Sequence, residues 1–196
     1  MMSKLEKRRA RKMSKLVSLT NEIKNSLDKS IGDYAHKHNE QFLTTSCILY
    51  NALGKERLKD NDFDAKLMAG KAAFGFNASQ YGMIEFDVNA VGYFLEYGVA
   101  PGFSGHCWIY VPSLEVVVDL TLADLKQRVI DSNKQTGIDD DEFLLDSSMV
   151  IPVEKIMDYQ SIKAGAVGLY YEQTCEAAEM VKRGMSEYKH IFSALA

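Results

Sequence analysis

The chain has 196 residues, 46% hydrophobic and 26% charged, enough for one ordinary domain and too few for two generous ones. That balance excludes a disordered chain, a collagen-like fibre and a low-complexity array. The net charge of −4 hides an asymmetry, because positions 1–15 carry seven bases and one acid and leave 16 bases against 26 acids for the rest. The sequence is therefore read as a basic N-terminal arm over 1–15 and a single domain over 16–196. An arm of this kind is expected to be a solvated helix or a frayed terminus. An acidic body is a poor match for phosphates, so no nucleic-acid partner is expected. The apolar runs are too short for a membrane span. The basic start is followed by a segment too short and polar for a secretory core, so a cytoplasmic location is expected. Cys47, Cys107 and Cys175 are odd in number, and no two of them form a Cys-x-x-Cys pair. They are read as free thiols of a reducing compartment.

In chain order, Leu16, Leu19, Ile23, Leu27, Ile31 and Tyr34 recur at helical spacing, predicting one long helix over roughly the first forty residues. His36 to Asn39 break the pattern. Thr44, Thr45 and Ser46 offer N-caps for a second, short helix that opens with Cys47 and ends at Gly54. Two strands are predicted over 65–76 and 81–88, separated by a turn-rich segment. Two tighter strands follow at His106–Val111 and Glu115–Leu120, joined by Pro112-Ser113-Leu114, a link short enough for a hairpin. Thr121 is placed as the cap of a helix over 122–132. Weaker strands at 149–153 and 166–171 precede a closing helix over 172–189. The fold class is α+β, with N-terminal helices packed on a central antiparallel sheet.

Three residues stand out by position. Cys47 opens a helix, where unpaired N–H groups and the dipole favour thiolate over thiol. His106 opens a strand, which would hold its ring rigidly against that sulfur as a proton carrier. Asp119 ends the next strand and, across a short hairpin, would accept the other ring N–H and fix the tautomer. Taken singly, each has a plainer explanation: a buried cysteine, a satisfied core histidine, a helix cap. Their order and placement together favour a catalytic triad. Cys107 alternates with His106 and is expected to point into the core from the opposite face, whereas Trp108 returns to the face of His106 and could wall the site. Cys175 is read as packing. His36-x-His38 and His106-Cys107 are poor zinc ligand sets, so no metal is expected, and no phosphate loop or nucleophile elbow is present.

The Cys-helix, followed by Gly105-His106-Cys107-Trp108-Ile109 and Val117-Val118-Asp119-Leu120-Thr121, resembles the core of the transglutaminase-like superfamily, a variation on the papain-like cysteine protease fold. The resemblance covers roughly residues 40–123 and is one of pattern and spacing. It implies thiol chemistry at an amide or acyl group (peptidase, deamidase or transferase) without a cofactor, on a peptide, protein or small amide substrate. Inactive relatives also exist, so a binding or scaffold role is the alternative. Gln41, six positions before Cys47, matches the offset of the oxyanion-hole glutamine in papain-like proteases. The loop from Tyr97 to Gly105 is dense in glycine and aromatic residues and is read as bordering the cleft, with Phe103 near the bound acyl group.

Overall fold

The computed structural model describes residues 3–40, 46–78, 82–87, 105–136, 142–187 and 189–195. Helix α1 spans Lys4–His38. Its start is a capping box, with the Ser3 hydroxyl accepting from Glu6 N (3.2 Å) and Glu6 accepting from Ser3 N (2.6 Å), which satisfies two of the donors a helix leaves unpaired. It ends at Asn39, whose left-handed backbone (φ 58°) closes the last turn. Leu16, Ile23, Leu27, Ile31 and Ala35 form the buried stripe. Toward the N-terminus the basic turns lie against the short 3-10 link over Pro112–Leu114. Arg9 donates to Leu114 O (3.0 Å) and pairs with Glu115 (2.8 Å), and Lys12 donates to the Ser113 hydroxyl (3.0 Å).

Helix α2 spans Cys47–Lys59 and is capped by Ser46, whose hydroxyl accepts from Leu49 N at 3.2 Å. It does not stop at Gly54 as the sequence suggested. A side chain there would run into Leu120 Cδ1, so glycine at this point lets the helix approach the sheet rather than ending it. Lys24 of α1 is buried, its side chain 5% exposed. It bridges Asp28 (2.5 Å) and Asp124 (2.8 Å), while Tyr50 of α2 donates to Asp28 at 2.8 Å. A buried cation is tolerable only when so compensated, and the arrangement locks α2 against α1.

The sheet consists of β1 (Lys66–Gly75), β2 (Met83–Phe86), β3 (His106–Val111), β4 (Val116–Val118), β5 (Val150–Pro152) and β6 (Gly168–Gln173), all antiparallel neighbours. Gly70 pairs with His106 and with Gln173 at once, so β3 and β6 lie on opposite edges of β1. β2 pairs with Ala72–Gly75, the stretch that β6 also pairs, and therefore follows β3 along the same edge. Beyond β4, a 3-10 turn over Leu122–Asp124 leads into α3 (Leu125–Thr136). The short helix α4 (Tyr159–Lys163) precedes β6, and α5 (Cys175–Glu187) and α6 (Lys189–Leu195) close the chain.

Both sheet faces are covered. Ile109, Val111, Val116 and Val118 pack with α1, α2 and α6. Phe74, Trp108, Val117 and Ile151 pack with Leu122, Leu125 and Val129 on the other side. At about 1.5–3 kcal/mol per buried large apolar side chain, these two layers fix the register on which the site depends. The architecture is α+β, with helices packed on an antiparallel sheet. Among the described residues no helix is long and apolar enough to cross a membrane.

Candidate active site

The β3–β4 hairpin sets the geometry. Ile109 pairs with Val118 and Tyr110 with Val117, so continuing the same register puts Asp119 opposite Trp108. Trp108 and His106 share a face, and Asp119 is therefore the diagonal cross-strand neighbour of His106, a separation that long side chains span. His106 Nε2 and Asp119 Oδ2 lie 2.6 Å apart, with the two residues 2% and 0% exposed.

Asp119 is saturated with donors. Oδ1 accepts from Thr121 N (3.0 Å) and from the Thr121 hydroxyl (2.7 Å), and Oδ2 accepts from the Tyr171 hydroxyl at 3.0 Å as well as from His106. Thr121 thus serves Asp119 and is not a helix cap, since its side chain makes no capping bond. Burial alone would raise the Asp119 pKa; the His106 charge and the Thr121 bonds overcome it and hold the carboxyl below its ordinary range. For His106, burial opposes the charged ring. Asp119 first and the Cys47 sulfur second outweigh it, pushing the pKa up to about 10. Both shifts favour the imidazolium–carboxylate form of the pair.

The second ring nitrogen, Nδ1, is buried and meets no partner at hydrogen-bonding geometry, although the Cys47 sulfur stands close enough to act on the ring. Catalytic hydrogen bonds are often slack before substrate binds. Cys47 is the first residue of α2 and is half-buried. Phe74 meets the His106 ring edge-on at 5.2 Å between centroids, and Phe86 and Trp108 lie at 4.7 and 6.4 Å. The histidine is fixed in an aromatic box. Trp108 itself is 4% exposed and packs with Tyr171, centroids 5.0 Å apart.

The structure thus brings Cys47, His106 and Asp119 together. Gln41 and Phe103 lie outside the described residues. Cys107 is fully buried on the face opposite His106, as its parity predicts; burial, then the nearby Cys47 and Asp119, raises its pKa well above an ordinary thiol. Cys175 is exposed, a correction to its reading as packing: it begins α5, at the end of the sheet. Among the described residues no cluster of three or more His, Cys, Asp or Glu has the arrangement of a metal site.

Two residues of the site escape sequence reasoning. Tyr171 arrives from β6, 52 positions beyond Asp119. Asn51, 0% exposed, reaches the Asp119 neighbourhood from α2, one turn after Cys47. The signal for Asn51 was a polar amide among apolar helix positions, on the face that carries Cys47. Tyr171→Phe keeps the ring packing and removes one donor from the buried carboxylate. It is expected to lower the unfolding free energy by about 1–2 kcal/mol, read by urea denaturation; an unchanged midpoint would show that the hydroxyl bond carries nothing.

No protein-family model matches the chain, and no curated protein matches it. A solved structure, described as the crystal structure of a genomics target, is similar in fold, with a TM-score of 0.52 and 10% sequence identity over 88% of this chain and 74% of that one. At that identity the likeness concerns the fold alone.

Proposed function

We propose that this protein is a thiol enzyme acting on an amide or acyl group of a peptide, protein or small amide through a Cys47–His106–Asp119 triad. The observation that carries this reading is the His106 ring. One nitrogen is held at 2.6 Å by a buried, fully bonded carboxylate, and the other is buried and unpaired beside the half-buried sulfur at a helix start. A histidine kept only for packing would have little use for an unsatisfied nitrogen, which costs about 1–3 kcal/mol. The arrangement of a helix start carrying Cys, followed by strands carrying His and Asp, supports a transglutaminase-like, papain-like assignment within the α+β class.

In the reaction so read, the Cys47 sulfur attacks the substrate carbonyl carbon. The tetrahedral oxyanion is met by backbone N–H at the start of α2, ahead of Leu49, whose N–H is taken by the Ser46 cap. The carbon–nitrogen bond breaks, the leaving amine takes a proton from His106 Nδ1, and a thioester remains on Cys47. Water or an acceptor amine then attacks the thioester, giving its proton to Nδ1 and releasing the sulfur. Asp119 holds Nε2–H throughout and sustains the charged ring. The chemistry needs no cofactor.

Site-resolved alkylation tests this. With iodoacetamide at pH 6, Cys47 is expected to react at least about tenfold faster than the exposed Cys175, and Cys47→Ala is expected to abolish the fast label. Equal total labelling of Cys47→Ala and wild type would overturn the enzyme reading in favour of a binding or scaffold role.

A further inference from the structure

The β3–β4 ladder stops one pair short of the site. Its last pair is Ile109 with Val118, and in the same register Cys107 would next face Leu120 as a hydrogen-bonded partner. Instead, the Asn51 carboxamide stands between them. Its Nδ2 donates to Cys107 O at 2.8 Å, and its Oδ1 accepts from Leu120 N at 3.1 Å. The same Nδ2 is 3.1 Å from Cys47 O and 3.5 Å from Asp119 Oδ1. A buried amide that only had to satisfy itself would need one helical carbonyl, four residues back. Here the group ties together three segments: the start of α2, the residue after His106, and the residue after Asp119.

We propose that Asn51 is the positioning residue of the site: by replacing the missing ladder bond between Cys107 and Leu120, it sets the separation of β3 from the Asp119 segment and fixes both against the helix start that carries Cys47. This rests on the Cys-His-Asp reading above. A direct Cys107–Leu120 bond would draw the two backbones to ordinary ladder spacing. The width of a carboxamide holds them further apart, and in that gap the His106–Asp119 bond forms. Because the helix is held through the Cys47 carbonyl, the sulfur is carried by the same tie.

The test compares Asn51→Leu, which keeps the volume and removes both polar atoms, with Leu58→Ala, which opens a cavity in the same helix about three turns from Cys47. Two quantities are read: the pH profile of Cys47 alkylation by iodoacetamide, resolved by mass spectrometry and normalised to folded protein, and the protonation midpoint of His106 by NMR of labelled histidine. The groups facing that ring are Asp119 and Tyr171 from the sheet and Cys47 from α2. Asn51→Leu is expected to slow Cys47 alkylation at pH 7 by about tenfold or more, to change its pH profile, and to lower the His106 midpoint. Leu58→Ala should match wild type in both. Should Asn51→Leu fail to fold, Asn51→Ser, with a hydroxyl that reaches only one of the two backbones, is expected to shift both readouts in the same direction by less. Wild-type behaviour in both readouts for a folded Asn51 variant would overturn the proposal. If wild-type Cys47 reacts no faster than Cys175, the enzyme reading fails separately, and the His106 midpoint still decides whether Asn51 positions the pair.

Discussion

Replacing Asp119 by Asn is expected to slow Cys47 alkylation at neutral pH by roughly 10²-fold or more, and the acyl transfer proposed above by something on the order of 10⁴-fold. The reason lies in which way the new amide must point. Thr121 offers two donors, its N–H and its hydroxyl, to Oδ1, so the amide oxygen is held there and its NH2 takes the place of Oδ2. That NH2 faces His106 Nε2 at the 2.6 Å contact, and a donor there forces Nε2 to become an acceptor. The ring proton moves to Nδ1, the nitrogen that has to take a proton from the sulfur side. The fold keeps its packing while the tautomer is wrong. An Asp119→Asn protein whose Cys47 is alkylated within a few-fold of the wild-type rate would show that Asp119 does not govern the ring.

The same pair makes stability depend on pH in two directions. His106 rises from an ordinary 6.5 to about 10 in the folded protein, so its contribution is fully present below pH 6.5 and is lost as pH climbs toward 10. Asp119 is lowered from 3.8, so its contribution is present above that value and is lost as acid protonates the folded carboxylate. Urea midpoints measured across pH should therefore be highest between about pH 4 and 6.5 on account of this pair, and the alkaline decline should vanish in Asp119→Asn.

Much of this site could be read from the sequence because it is local. His106 and Asp119 are 13 residues apart on a hairpin with a three-residue link, and strand parity alone puts them on one face and Cys107 on the other. Cys47 could be placed because Ser46 marks the helix start. What could not be read is carried by long-range pairing. Glu172 and Gln173 are good helix formers that read as the start of the closing helix, yet they pair with Lys71 and Gly70 as the end of β6, because sheet edges override propensity. That misplacement hid Tyr171. Gly54 looked like a helix stop, and only the nearness of Leu120 explains a glycine in mid-helix. Asn51 was hidden for a related reason: its role is to fill a break in a ladder, and a break exists only once the register is known.

Gly70→Ala is expected to be strongly damaging and to act on the site as well as on the fold. Gly70 is paired on both edges of β1, with His106 on one side and Gln173 on the other. A Cβ there would fall onto the Glu172 carbonyl oxygen, with Glu172 C at 2.8 Å and Gln173 Cα at 2.9 Å. These are backbone atoms, so no rotamer change relieves the clash and β6 must move as a strand. Overpacking costs about 1–3 kcal/mol where side chains can adjust, and the cost here is expected at or above the upper end. At about 2–4 °C per kcal/mol for a chain of this size, the melting temperature should fall by roughly 6–12 °C. Moving β6 also withdraws Tyr171, whose hydroxyl is on Asp119 at 3.0 Å, so the His106 midpoint should shift in whatever fraction stays folded. Gly32→Ala supplies the opposite sign. It lies inside α1 with nothing within 4 Å of the added carbon, and is expected to stabilise by about 0.5–1 kcal/mol through helix propensity. If thermal melts place Gly70→Ala within about 2 °C of wild type, the close approach of β6 to β1 is not what holds Tyr171 on the carboxylate.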